Sequence, residues 1–181
     1  MEHWGTWPVM AALLVGPRKS GRSLLARLFI AETGGTMIDD AHSVAETEIF
    51  HAWNRAQADR RPLLIVADAP PPAWAVRLPD LRSRLAASPL LRIGPPDDAL
   101  IPMLLRYLFE RRELIAPPEL IDYLAKRVER SHLAVLRAVE AIEEAVQLKR
   151  GRKLSIPVAR AALSATGLLP QRRRTQPVER P

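Results

Sequence analysis

The chain has no cysteine, and this one absence excludes a disulfide framework, thiol catalysis and Cys-ligated metal. Long apolar runs are missing as well. Residues 9–15 come nearest, and Gly16-Pro17-Arg18-Lys19 interrupts them well short of the roughly 18 residues that a spanning helix requires. A membrane span is therefore not expected. Met1-Glu2-His3-Trp4 lacks the basic start of a secretion signal, and the apolar stretch after it ends in a glycine loop instead of a small-residue cleavage site. The cytoplasm is the expected compartment. His3, His42, His51 and His132 are dispersed without metal-ligand spacing, so surface or capping roles are expected of them.

What is present fits one modest globular protein. A length of 181 residues allows one ordinary domain, or a core with a small lid, and excludes a large multidomain enzyme. With 48% hydrophobic and 26% charged residues, the chain can bury a core and is too apolar to remain disordered. The net charge of +7 suits either an anionic partner or a soluble surface. Its distribution says more than its sum. Lys149, Arg150, Arg152 and Lys153 form one basic cluster, and Arg172-Arg173-Arg174 form another within a proline-rich tail over 169–181 that reads as disordered. The 17 prolines outnumber the 8 glycines, and Pro70-Pro71-Pro72, Pro95-Pro96 and Pro117-Pro118 punctuate the chain at element boundaries.

Over residues 1–95 short apolar runs alternate with helical patterns. Ala11-Ala12-Leu13-Leu14-Val15 reads as a buried strand entering a loop at Gly16. A helix follows, with Leu24, Leu25, Leu28 and Phe29 on one expected apolar face, and Gly34-Gly35 stop it. Thr36-Met37-Ile38-Asp39 is a second strand, 44–58 a helix carrying Ile49, Phe50 and Trp53, and Leu63-Leu64-Ile65-Val66-Ala67 a third strand. A short helix over 78–87 leads to a fourth strand at 90–93. Four such strands separated by helices indicate a parallel, doubly wound α/β sheet. After Pro96 the strand signal ends, and helices are expected near 98–112, 118–129, 131–149 and 156–166, which makes 96–168 a helical unit. Asp97 or Asp98 can cap the first of these, Pro118 opens the second, and Ser131 caps the third, whose Leu133, Leu136, Val139, Ile142 and Val146 form an apolar stripe.

The loop Gly16-Pro17-Arg18-Lys19-Ser20-Gly21-Arg22-Ser23 follows a strand and opens a helix. It matches the phosphate-binding pattern G-x-x-x-x-G-K-[ST] except that Arg22 stands where lysine belongs. The pattern uses glycines so that backbone N–H groups converge on phosphate oxygens, a helix N-terminus for its partial positive charge, a compact ammonium, and a hydroxyl for Mg²⁺. Ser23 supplies that hydroxyl. Arg22 keeps the charge but replaces an ammonium with a wide planar fork, and Lys19 puts a side chain where a permissive backbone is often needed. The two readings are an ADP or ATP site with Mg²⁺ and a strand-to-helix turn that keeps the shape without the nucleotide. Asp39-Asp40 ends the second strand as a pair in which Asp39 holds Mg²⁺ through water with Ser23, and Asp40 polarises an attacking water. Trp4 and Trp7 either pack or flank an adenine.

These landmarks, together with Leu63 to Pro72, Pro79-Asp80-Leu81-Arg82-Ser83-Arg84-Leu85 and Arg130-Ser131-His132, follow the order of an AAA+ domain. Trp7-Pro8, Pro70-Pro71-Pro72-Ala73-Trp74 and the Leu-Arg-Ser-Arg-Leu helix make the chain resemble the Hda/DnaA type of AAA+ domain over about residues 4–166. The resemblance implies a regulator of bacterial replication initiation that binds DnaA and promotes hydrolysis of DnaA-bound ATP while docked on the sliding clamp. In it Arg84 matches the arginine finger, which acts on the nucleotide of a neighbouring subunit. A homo-oligomer is an alternative neighbour, and a non-catalytic interaction scaffold an alternative role. The departures are informative. The helix and strand that this type inserts before Thr36 are absent, and in its order 5-1-4-3-2 that strand lies at the sheet edge. Ala134 stands at the second-sensor arginine with Arg137 one turn later, and Asp68 replaces a neutral polar sensor. The Gln-Leu-x-Leu-Pro type of clamp-binding peptide does not occur near the first strand. Together they imply little ATPase of its own. Direct DNA binding by the basic clusters is a weaker reading, because no DNA-reading helix-turn-helix has room in the remaining length.

Overall fold

A computed structural model describes residues 4–147 and 153–168. Lys149, Arg150, Arg152 and the basic tail over 169–181 lie outside the described residues. The chain divides into two compact units, residues 1–95 and 96–181.

The first unit contains β1 (Ala11–Val15), α1 (Arg22–Thr33), β2 (Thr36–Ile38), α2 (Glu46–Asp59), β3 (Leu63–Ala67), α3 (Pro79–Ala87) and β4 (Leu90–Arg92). The strands form one parallel sheet in the order β2-β3-β1-β4, with Ala11 opposite Leu63, Thr36 opposite Leu63, and Leu13 opposite Leu90. The expected four-strand α/β sheet is thus observed, and β2 is an edge. Every residue of β1 and β3 is buried, which is why both read as uninterrupted apolar runs. Alternate side chains serve opposite layers. Leu13, Val15, Leu63 and Ile65 pack with Ile49 of α2 and Leu81 and Leu85 of α3. Ala12, Leu14, Leu64 and Val66 pack with Ala26 and Phe29 of α1 on the other face.

Helix α1 departs from its expected orientation. Leu24, Leu25 and Leu28 are 55%, 39% and 58% exposed, and the buried residues are Arg22, Ala26 and Phe29. The loop sets the phase of this helix. Arg22 turns inward, so the positions four and seven residues later face the sheet, where small Ala26 permits close approach and Phe29 stacks on Trp7 at 5.7 Å. That stack gives Trp7 a packing role.

The second unit contains α4 (Leu100–Glu110), α5 (Pro118–Ala125), α6 (His132–Gln147) and α7 (Ile156–Ala165). The Asp97 carboxylate accepts the N–H groups of Ala99 and Leu100 at 3.1 and 2.7 Å, and Ser131 Oγ accepts from Ala134 N at 3.0 Å, so both expected capping residues act at α4 and α6. Ile101, Leu105 and Phe109 of α4, Leu120, Ile121 and Leu124 of α5, and Leu163 of α7 form its core. The stripe on α6 is rotated from the expected one. Val135, Ala138, Val139 and Ile142 are buried, whereas Leu133 and Leu136 are only half-buried, because α6 must meet both α4 and α7. Among the described residues no helix is long and apolar enough to cross a membrane.

His132, at the start of α6, is buried, and its Nδ1 has no hydrogen-bond partner. Burial pushes its pKa below the ordinary imidazole value. The folded state therefore binds the proton less readily than the unfolded chain, so the stabilisation is complete above the unfolded value of about 6.5 and declines as pH falls through it. Thermal unfolding followed by circular dichroism should give a lower Tm at pH 5.5 than at pH 7.5. Part of that difference should vanish in His132→Leu, and an unchanged pH slope in the variant would exclude His132 as its source.

Candidate functional site

The loop between β1 and α1 keeps the geometry its residues suggest. Gly16 lies so close to β4 that an added Cβ would meet Ile93 Cβ at 2.9 Å, and Gly21 adopts φ 84° immediately before α1. Lys19 adopts φ 66°, a left-handed conformation that disfavours a side chain. Ser20 N–H donates to Pro17 O at 3.2 Å, while Ser20 Oγ is buried inside the turn without a partner. The cleft outside the loop has a volume of about 450 Å³ and is lined by Arg18, Lys19, Gly21, Arg22, Ser23, Leu24 and Asp40.

The end of β2 meets this loop. Ser23 Oγ donates to Asp39 Oδ1 at 3.1 Å, and the same carboxylate oxygen accepts Asp40 N–H at 3.0 Å. Asp40 follows with φ 47°. A hydroxyl and a carboxylate in contact at the start of α1 suit a magnesium ion that takes its other oxygens from phosphate and water. Among the described residues no group of three or more His, Asp or Glu side chains is placed to hold a metal ion.

The placement of Arg22 changes what the site can do. Its side chain is 9% exposed. Nη1 donates to Gly16 O at 2.5 Å, and Nη2 bonds to Asp68 Oδ1 and lies 3.4 Å from Asp40 Oδ1. Asp68 also pairs with Arg18 at 3.4 Å through its second oxygen. Burial alone would raise the pKa of Asp68, but the bond and charge of Arg22, with Arg18 and His42, outweigh it and hold the carboxyl below its usual value. The cation that a phosphate would need is thus turned inward onto protein oxygens. Arg18 and Lys19 remain exposed on the same loop. The signal for this pairing lies in the sequence as two departures that compensate, Arg22 for lysine and Asp68 for a neutral residue; each is visible alone, but their contact is not.

Arg84 sits on α3, apart from this loop. Glu46 fixes the start of that helix by accepting the backbone N–H groups of Arg77, at 2.9 and 3.0 Å, and Leu78, at 2.7 Å. These bonds hold its carboxyl below the ordinary range. Arg84 is half-buried. It lies 4.1 Å over the Phe50 ring and 4.9 Å from the Trp53 ring, and Nη1 bonds to Asn54 Oδ1. The reason is the aromatic face of α2, on which a cation can stack without losing its charge. Trp53 Nε1 donates to Ser88 Oγ at 3.2 Å, and Ser88 Oγ donates to Arg84 O at 2.9 Å, which closes the contact between the two helices. Arg82 instead donates through Nε and Nη2 to Val76 O at 3.2 and 2.9 Å. Within the second unit Ala134 is half-buried and Arg137 exposed.

No protein-family model matches the chain. Over 133 residues it is 29% identical to the chromosomal replication initiator protein DnaA of Chloroflexus aurantiacus, a match that covers 71% of this chain and 28% of that protein. It therefore spans less than a third of that relative's length. Domain III of the replication initiation protein DnaA from Thermotoga maritima superposes with a TM-score of 0.65 at 16% identity, covering 91% of this chain and 86% of that one. A replication initiator DnaA bound to AMPPCP and single-stranded DNA gives 0.57 at 15% identity, covering 82% and 59%. The four-stranded parallel sheet, the loop at its centre and the helical second unit have the fold of a DnaA-like AAA+ domain.

Proposed function

We propose that this chain acts in replication initiation as a DnaA-type AAA+ module that engages a DnaA protein and promotes hydrolysis of the ATP held there, with little turnover of its own. The observation that carries the reading is Arg22: its guanidinium bonds to Gly16 O and Asp68, so the cation at the motif's lysine position is not free for the β and γ phosphates. A module in this condition contributes by what it presents to a neighbour. Arg84 is the residue proposed to reach that neighbour's phosphates, and to do so it must leave Phe50, Trp53 and Asn54. ADP or ATP with Mg²⁺ at the Ser23–Asp39 pair is a weak, secondary ligand in this reading. The sliding clamp is a further partner by family likeness, and the cytoplasm is the compartment where such partners meet.

The test mixes the purified chain with ATP-loaded DnaA from the same source, with and without clamp, and follows conversion of bound ATP to ADP. Faster loss in the presence of the chain, beside negligible turnover by the chain alone, is the expected result. Rapid solitary turnover, or no association with DnaA, would sink the reading. One observation favours a second possibility, that of a non-catalytic scaffold: Arg84 is already engaged within the chain. Association with DnaA without any acceleration would identify that role.

A further inference from the structure

The pairing of Arg22 goes beyond a missing lysine and deepens the reading above, on whose poor nucleotide site it rests. Asp68, just beyond β3, uses both carboxylate oxygens on the loop, Oδ1 on Arg22 and Oδ2 on Arg18. Arg22 in turn ties Gly16 to the first turn of α1, so one guanidinium spans the loop from within. The exposures separate Arg22 from its neighbours: its side chain is 9% exposed, whereas Asp68, Asp40 and Arg18 are 42%, 59% and 73% exposed. The cleft therefore conceals the cation at the motif's lysine position, while Arg18, Lys19 and Asp40 line its surface. Arg18, Lys19 and Arg22 give +3, and Asp39, Asp40 and Asp68 give −3, so the loop and its surroundings are neutral overall. The formal charges of these six side chains cancel, while the backbone turn and the Ser23–Asp39 contact are in place.

We propose that Asp68 is a lock on the phosphate loop: it holds Arg22 in an internal ion pair that closes the cleft to nucleoside diphosphates, and neutralising residue 68 releases a latent anion site. The fork of arginine suits this arrangement, because it places Nη1 on Gly16 O and Nη2 on Asp68 in one rigid plane. Asp68 is a positioning residue in this account. It acts on a ligand only through Arg22.

The experiment titrates the full chain with ADP and Mg²⁺ by calorimetry, with tripolyphosphate as a second probe that lacks the base. Asp68→Asn is expected to bind both at least about tenfold more tightly than the unaltered chain, a modest requirement for one guanidinium freed to pair with a phosphate near a protein surface. In Arg22→Ala/Asp68→Asn the gain should disappear, because the lock acts through the guanidinium. A gain that persists without Arg22 would mean simple charge removal and would overturn the lock, as would an Asp68→Asn protein that binds no better than the parent. If circular dichroism shows Asp68→Asn to be unfolded, Asp68→Ser replaces it, with the same tenfold gain expected and its absence equally fatal. Association with DnaA is measured on the same proteins. Its failure would remove the proposed function and leave the result on the lock standing.

Discussion

Arg84→Ala is expected to abolish the acceleration of ATP hydrolysis on DnaA while leaving a folded chain. An arginine supplied in trans to a transferring phosphoryl group contributes about 10³ to 10⁵ in kcat, so the loss should be nearly complete if Arg84 is that residue. The substitution also removes a cation stacked on Phe50 and Trp53 and a bond to Asn54. Together these partly exposed contacts stabilise the fold by about 1–2 kcal/mol. Urea unfolding followed by circular dichroism should show that smaller loss independently of DnaA. Arg84→Lys separates the two effects. A lysine retains much of the stacking and can reach Asn54, so stability should recover, but it cannot span two phosphate oxygens and acceleration should not recover fully. Departure of the guanidinium from Trp53 on binding DnaA should change indole emission. Full acceleration by the alanine variant would remove Arg84 from the mechanism, and loss of stability without loss of acceleration would leave it a structural contact between α2 and α3.

Phe109→Ala should be the most damaging substitution in the second unit. Its ring is fully buried among α4, α5 and α6, with Leu105, Leu120 and Leu124 among its core companions. Removing a buried phenylalanine costs about 3–5 kcal/mol, from lost transfer energy and from the cavity left behind. Against a total stability of about 5–15 kcal/mol for an ordinary domain, such a loss leaves little margin. Urea denaturation should show a midpoint far below that of the unaltered protein. Met103→Ala on the same helix, where the side chain is 63% exposed, should leave the midpoint nearly unchanged. A loss below about 1 kcal/mol in Phe109→Ala would mean that the four helices do not share the core described for them.

The two substitutions probe parts of the molecule that were legible to different degrees. The apolar residues of α4 and α5 signal a buried face at helical spacing, and Pro118, Asp97 and Ser131 mark helix starts by chemistry that acts within a few residues. The stripe on α6 was legible only approximately: Val139 and Ile142 belong to the core, whereas Leu133 and Leu136 lie at its margin. The shift has a plain cause. A helix that packs against two neighbours buries an arc set by both, and apolar spacing alone does not say where their axes lie. Leu24, Leu25 and Leu28 show the same limit more sharply. They make a good amphipathic pattern, yet they remain exposed because an inward Arg22 sets the phase of α1.

By themselves the residues determined the alternation of four strands, two of them fully buried, with helices, the glycine turn before α1, and the adjacency of a hydroxyl-bearing loop to an acidic strand end. Each of these follows from local rules: a fully apolar run too short for a helix, a backbone that needs φ above zero, a parallel connection that returns on the same side. Only the tertiary structure decided where the two decisive guanidinium groups point. Arg22 meets a carboxylate carried just beyond β3, and Arg84 meets an aromatic face carried by another helix. A long flexible cation takes its direction from whatever charge or ring the fold brings within reach, and that is a property of packing and not of neighbours in the chain.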